Sequence, residues 1–220
     1  MAVYEVTEHF ISINGEGTRA GQLALFIRLR GCNLCCKYCD TKWANEADCK
    51  TEIFTEDDLE KLVIKSKVRN VTITGGEPLY RDDMDILLNK LSKIPNIMIE
   101  IETNGSIDLS KYRMRNVSFT MDYKLSCSGM ENKMHTENFK YLSKNDTVKF
   151  VIGCHDDLIR AKEIIDEYNL VDRTAIYFSP VFGGISPKDI VEFMIENRIN
   201  GVNFQLQLHK YIWDPNQKGV

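Results

Sequence analysis

The chain has 220 residues, 43% of them hydrophobic with only five prolines. That suits one sizeable core and, most simply, one domain over residues 1–220, and it argues against a disordered chain. A formal net charge of −4 gives no electrostatic reason to expect nucleic acid or an anionic membrane as partner. The start, MAVYEVTEHF, has acidic residues and no apolar signal core, and no stretch reads as a bilayer span, so a cytoplasmic, reducing setting is expected.

Short β-rich runs alternate with amphipathic helical ones. Leu23 to Arg30 alternates as a strand. Thr55 to Ser66 has a capping threonine, early acidic residues, and Leu59, Leu62 and Val63 at helical spacing. Asn70 to Thr74 is a short β-branched strand ending in Gly75-Gly76, followed by a helix over Asp82 to Lys93 and a strand over Ile97 to Thr103. Further strands are expected over Val117 to Asp122, Thr147 to Ile152, Thr174 to Phe178 and Asn203 to Leu208. Helices over Asp156 to Tyr168 and Pro187 to Asn197 separate the later ones, and Ser126 to Thr136 reads as a loop. Strands divided by helices imply parallel pairing with right-handed crossovers. A closed eightfold barrel takes roughly 250 residues, so the expected fold is α/β, an open or partial parallel β/α barrel. Its active site belongs in the loops after the strands.

Seven cysteines are the anomaly, four of them within Cys32-Asn33-Leu34-Cys35-Cys36-Lys37-Tyr38-Cys39. Such crowding is no disulfide framework for a chain this long. Two CxxC pairs would suit zinc or a redox disulfide, but no intervening loop carries one pair to the far side of an ion. The other parse, CxxxCxxC, uses Cys32, Cys36 and Cys39 and leaves Cys35 a bystander. Three thiolates can hold three irons of a 4Fe–4S cluster and leave one open, unlike the four-cysteine ligation of electron carriers. Cys49, Cys127 and Cys154 read as ordinary buried or half-buried thiols.

Tyr38 before the last of the three decides between the parses: CxxxCxYC resembles the signature of the radical S-adenosylmethionine (SAM) superfamily. Thr74-Gly75-Gly76-Glu77-Pro78 follows a strand; alone it reads as a turn, with two glycines that let backbone approach a ligand. In its place after the cysteines it resembles the loop that binds the methionine amino group of SAM. Met121-Asp122-Tyr123-Lys124 with Ser126, and Ser179-Pro180-Val181-Phe182, close later strands and could complete the SAM pocket, the second as an apolar wall for adenine.

The flanking motifs narrow the resemblance. Ser12-Ile13-Asn14-Gly15-Glu16-Gly17, Phe26-Ile27-Arg28, Gly31-Cys32-Asn33-Leu34, Cys39-Asp40-Thr41 and the tail Phe204 to Trp213, ending at Gly219-Val220, resemble the 7-carboxy-7-deazaguanine synthases, from near residue 10 to the end of the chain. The resemblance implies conversion of 6-carboxy-5,6,7,8-tetrahydropterin into 7-carboxy-7-deazaguanine with loss of ammonia, begun by hydrogen abstraction at C6 and with SAM regenerated. It implies a 4Fe–4S cluster, SAM and Mg2+, a flavodoxin- or ferredoxin-like reductant, and a homodimer. By position, Cys32, Cys36 and Cys39 would hold the cluster and Thr41 the Mg2+, a hard ion suited to oxygen donors. Tyr38, Asp40, Gly75, Gly76 and Glu77 fall on the SAM side. Ile13, Asn14, Gly15, Glu16, Arg28, Thr74, His209 and the Val220 carboxylate fall on the substrate side, with Arg28 a bidentate fork for a carboxylate. The family commonly has glutamine where this chain has Asn14. The rival readings are a glycyl-radical-enzyme activase and a non-catalytic iron–sulfur or zinc protein.

Overall fold

The computed structural model describes residues 2–220. Its nine strands form one sheet in the order β3-β1-β2-β4-β5-β6-β7-β8-β9. From β2 onward all neighbours are parallel: β2 (Leu23–Leu29), β4 (Asn70–Gly75), β5 (Met98–Thr103), β6 (Val117–Tyr123), β7 (Thr147–Ile152), β8 (Ala175–Pro180) and the two-residue β9 (Asn203–Phe204). Strands β3 and β9 end the sheet without pairing to each other, so the barrel is partial, as the chain length suggests.

The first strand, β1 (Val3–Ile13), pairs antiparallel with β2 and with β3 (Glu52–Thr55). Neither β1 nor β3 is expected from the sequence. A register shift between Val6 and Glu8 breaks the alternation of β1, and β3 has four residues, too few to carry a period. The helices α1 (Glu56–Ser66), α2 (Met84–Leu91), α3 (His155–Glu167) and α4 (Pro187–Glu196) follow the expected order. Thr55 caps α1 through its side chain, which accepts from Asp58 N, while Asp58 accepts from Thr55 N. Such reciprocal capping satisfies two otherwise unpaired donors at the helix start.

Alternation along the parallel strands sorts their side chains. Val71 and Ile73, Ile99 and Ile101, Phe119 and Met121, and Val148 and Phe150 are buried in the apolar core. Residues of the other parity, Thr72 and Thr74, Glu100 and Glu102, Thr120 and Asp122, and Lys149, are polar. A strand's period of two separates these sets onto opposite faces of the sheet. The expected last strand is cut short because the chain leaves the sheet after Gln205 N donates to Phe178 O. It then folds across the strand ends through α5 (His209–Ile212). Residues 126–140 form three short 3-10 turns, in keeping with a loop.

One cysteine expectation is corrected here. Cys49 is a free thiol, but Cys127 and Cys154 are joined as a disulfide. The parallel pairing of β6 with β7 brings together the loops that follow them, a neighbourhood invisible in linear spacing. Among the described residues, no helix is long and apolar enough to cross a membrane.

Candidate active site

A cavity of about 770 Å³ opens at the carboxyl ends of the parallel strands. Cys32, Cys36, Cys39 and Thr41, from the loop after β2, line one side of it. This loop is held by Lys37 N donating to Ser128 O (3.0 Å) and Cys39 N to Cys36 O (3.3 Å). The Tyr38 hydroxyl adds a bond to Val151 O (3.4 Å). The Cys32 sulfur accepts from Leu34 N at 3.4 Å and from Asn104 Nδ2 at 3.7 Å. Cys39 Sγ lies 3.6 Å from Thr41 Oγ1. Burial pushes the Cys32 and Cys36 thiols up, while Lys124 draws Cys36 the other way. Cys35 is exposed and does not line the cavity.

The donor set fits an iron–sulfur cluster better than a single ion. A zinc ion roughly 2.3 Å from each thiolate would hold its sulfurs about 3.8 Å apart. Among the described residues, no three of these loop cysteines bring their sulfurs within 4.8 Å of one another. A four-iron cluster spreads its thiolates over separate irons, which tolerates the wider arrangement.

The floor of the cavity is a chain of buried charges. Lys149 Nζ donates to Glu16 Oε2 at 3.0 Å and lies 3.6 Å from Asp122 Oδ2. Lys124 Nζ is 2.9 Å from the same Asp122 oxygen. Glu16 also accepts from Ser179 Oγ (2.8 Å) and Gln207 Nε2 (3.2 Å). Burial alone would raise the Glu16 pKa; Lys149 and the two hydrogen bonds outweigh it and hold the carboxyl below its ordinary range. Burial likewise opposes the charge on Lys149, yet Glu16, Asp122 and Glu102 hold it well above normal. The second Asp122 oxygen is buried and has no partner among the described residues, so a donor on a bound molecule can satisfy it.

Arg28 Nε donates to Glu8 Oε1 at 2.7 Å, while its two terminal nitrogens make no hydrogen bond among the described residues. The tail forms the roof. Leu208 N donates to Gly15 O, and the His209 ring occupies the space that a Gly15 side chain would need. Lys210 Nζ is 3.5 Å from Asp40, Lys218 Nζ sits 3.8 Å above the Trp43 ring, and Val220 reaches the cavity.

Comparison with known proteins identifies this arrangement. The sequence pattern described as the radical SAM superfamily matches residues 26–122. A 7-carboxy-7-deazaguanine synthase from Clostridium acetobutylicum is 54% identical over 99% of both chains. One from Chlorobaculum tepidum is 34% identical over 100% of this chain and 98% of its own. The chain belongs to the 7-carboxy-7-deazaguanine synthase family. Membership makes it a radical SAM enzyme, which uses a 4Fe–4S cluster and SAM, and sets aside the activase and the non-catalytic readings. A crystal structure of QueE from Escherichia coli matches with a TM-score of 0.72 at 25% identity, over 93% of this chain and 94% of that one.

Against the family resemblance, most expected site residues meet in this cavity. Beyond the cysteines and Thr41 these are Ile13, Gly15, Glu16, Arg28, Tyr38 and Asp40, then Thr74, Gly75, Gly76, Asp122 and Lys124, and finally Val181, Phe182, His209 and Val220. Six do not line it. Tyr123 and Pro180 have the core parity of their strands and are buried, Tyr123 stacked on Phe139. Ser126 donates to Asp157 instead (2.9 Å), and Ser179 acts only through Glu16. Asn14 is buried, accepting from Thr72 Oγ1 at 2.9 Å, and its Nδ2 has no partner among the described residues. Glu77, expected to receive an ammonium, is 1% exposed. It accepts instead from Leu79 N, Thr103 Oγ1 and Asn104 N, at 3.0, 2.8 and 2.5 Å.

The twin glycines also have a structural reason. A side chain at Gly75 would meet the Leu29 backbone, and one at Gly76 the Gly31 carbonyl. Both residues therefore let the β4 loop lie against the start of the cysteine loop, where Glu77 N donates to Gly31 O at 2.8 Å. Sequence reading missed Lys149, Glu102, Asn104 and Gln207. The polar parity continued from Thr72 and Thr74 across β5, β6 and β7 is the signal that would have found the first two.

Glu77 yields a stability prediction. Burial pushes its carboxyl up to about 7 from an ordinary 4.5, against the pull of its donors. The folded chain then binds this proton more tightly than the unfolded one, so stability falls as pH rises between those values. Urea unfolding across that range is expected to show the slope, and Glu77→Gln to flatten it. Glu77→Ala costs about 1–3 kcal/mol for each donor it leaves buried and unpaired.

Proposed function

We propose that this chain converts 6-carboxy-5,6,7,8-tetrahydropterin into 7-carboxy-7-deazaguanine with loss of ammonia, in the cytoplasm. The observation that carries the reading is the opening of three loop thiols, a half-free arginine and the chain terminus onto one cavity. When bound, the cluster and SAM supply hydrogen-atom abstraction. In this reading Cys32, Cys36 and Cys39 hold the cluster. The Gly75-Gly76 backbone, Tyr38, Asp40, Asp122, Lys124, Val181 and Phe182 hold SAM, with the unpaired Asp122 oxygen as an acceptor for it.

Substrate binding falls to the remaining lining groups. The free terminal nitrogens of Arg28 match a carboxylate, which accepts two parallel N–H bonds. Glu16, kept ionised by Lys149, accepts from the paired N–H groups of an aminopyrimidinone ring. Ile13, Gly15, Thr74, His209 and the Val220 carboxylate surround the substrate, and Asn14 holds the turn beneath it. Thr41 offers a hard oxygen donor to Mg2+. Residues 1–220 act as one domain, as a homodimer supplied with electrons by a flavodoxin- or ferredoxin-like protein.

The test is anaerobic reconstitution followed by assay with reductant, SAM, Mg2+ and the carboxytetrahydropterin. About four irons per chain and an ultraviolet-absorbing deazapurine are expected. No product with an intact cluster would overturn the substrate assignment.

The tail carries a separate prediction. Deleting Lys218 to Val220 removes the contact with Trp43 and shifts the terminal carboxylate from Val220 back to Gln217. KM for the pterin is expected to rise about ten- to a hundredfold, the worth of one or two charge-assisted hydrogen bonds. Cluster content and the circular dichroism spectrum should stay unchanged.

A further inference from the structure

The Cys127–Cys154 pair lies outside the cavity and has no part in the chemistry described above. Its surroundings tie it to the cysteine loop. Cys127 is the middle residue of the 3-10 turn Ser126–Ser128, and Cys154 is the N-cap of α3. Asp157, in the first turn of α3 and fully buried, fastens the two segments together. It accepts from Ser126 Oγ and Cys127 N on one oxygen (2.9 and 3.1 Å), and from Gly153 N on the other (2.9 Å).

The next residue, Ser128, is also fully buried, and its carbonyl accepts the Lys37 N–H at 3.0 Å. Lys37 lies between Cys36 and Cys39. From the other side, Tyr38 reaches the Val151 carbonyl, three residues before Cys154. The sulfur pair therefore spans the two segments on which the Lys37–Tyr38 stretch rests.

We propose that Cys127 and Cys154 are a redox-active pair that, when oxidised, locks the seat of the loop carrying Cys36 and Cys39. Both cysteines are only half-buried residues. In a reducing compartment such a disulfide is reversible rather than permanent. The oxidant is a low-molecular-weight disulfide. One protein thiolate attacks its S–S bond, releasing one thiol and leaving a mixed disulfide. The second protein thiolate displaces the other thiol and forms the Cys127–Cys154 bond. Two electrons pass to the oxidant, and the two protons lost from the pair end on the released thiols.

The two sulfurs and an Asp157 oxygen also lie within 4.8 Å of one another, as three ligands of a metal would. Asp157 already accepts three protein donors, and the two cysteines are paired with each other as a disulfide, so the redox reading is the better match.

The test uses the full-length chain with Cys32, Cys35, Cys36 and Cys39 all replaced by serine, so it needs no cluster and stands apart from the assigned activity. Oxidised glutathione without oxygen is expected to give a Cys127–Cys154 linked peptide by mass spectrometry, cleaved again by dithiothreitol. Hydrogen exchange at the Lys37 amide should be several-fold slower in the oxidised form. Adding Cys154→Ser, or separately Cys127→Ser, should remove that difference. The proposal is overturned if no linked peptide forms, if exchange at Lys37 is the same in both redox states, or if the four-serine chain binds one zinc through this pair.

Discussion

Cys36→Ala is expected to abolish iron binding and product formation in the reconstituted protein, while Cys35→Ala leaves both near the parent level. The two residues are neighbours in sequence but opposite in placement. Cys36 is 8% exposed and lines the cavity beside Cys32 and Cys39. Cys35 is exposed and does not line it. Its removal takes away a surface thiol and no internal contact, a change that ordinarily shifts stability by no more than about 0.5 kcal/mol.

Iron per chain and the charge-transfer absorbance of the cluster measure this directly, before any turnover. The Cys36→Ala protein should retain its secondary structure, because the loop is held mainly through backbone groups: Lys37 N on Ser128 O and Glu77 N on Gly31 O. If Cys35→Ala loses the cluster instead, the assignment of ligands to Cys32, Cys36 and Cys39 fails. Loss of binding in both variants would point to a ligand set that includes Cys35 as well as Cys36.

The fold was legible wherever a period extends through several residues. The alternation of Val117 to Tyr123 and of Thr147 to Ile152, and the helical spacing around Leu59 and Val63, place their elements within a residue or so. The two antiparallel strands were not legible. In β1, charged Glu5 and Glu8 interrupt the apolar run and a register shift hides the period; β3 is defined by its partner alone. The site divides along a similar line. Residues in compact motifs, such as Cys32 to Thr41 and Thr74 to Gly76, could be found from spacing and resemblance. Lys149 is marked only by the polar parity of its strand, which gives it a face of the sheet but no partner. Its meaning comes from Glu16, 133 residues away in the chain. Glu77 illustrates the reverse error: a residue in a ligand-binding motif whose carboxylate is consumed by a backbone donor of its own turn, Leu79 N, and one of the next loop, Asn104 N. A motif identifies the loop, but only packing decides which of its atoms remain free.

Lys149→Met is expected to lower activity by about a hundredfold or more and to destabilise the fold by about 3–5 kcal/mol, the cost of breaking a buried ion pair from one side. Methionine fills much of the lysine's volume, so the loss reports charge rather than packing. With Lys149 present, the Glu16 carboxyl sits below its ordinary range. Its ionised form then stabilises the fold at neutral pH, and that contribution is lost as pH falls through the depressed value. Without Lys149, the burial of Glu16 is opposed only by Ser179 and Gln207, and its pKa rises above the ordinary carboxylate range. The sign of the Glu16 linkage reverses: as pH rises through the ordinary carboxylate range the variant should lose more stability than the parent, which already loses there what the buried Glu77 contributes. Activity should require a higher pH for the same reason, its acid limb shifting upward, whereas a purely structural defect would scale the whole profile down. Lys149→Arg keeps a charge in place and should restore the acid limb even where geometry limits the rate. Adding Glu16→Gln to Lys149→Met removes the stranded carboxylate and should recover most of the lost stability but none of the activity. If the double variant is as unstable as the single one, the destabilisation belongs to Asp122 or Glu102, the other acids that face Lys149.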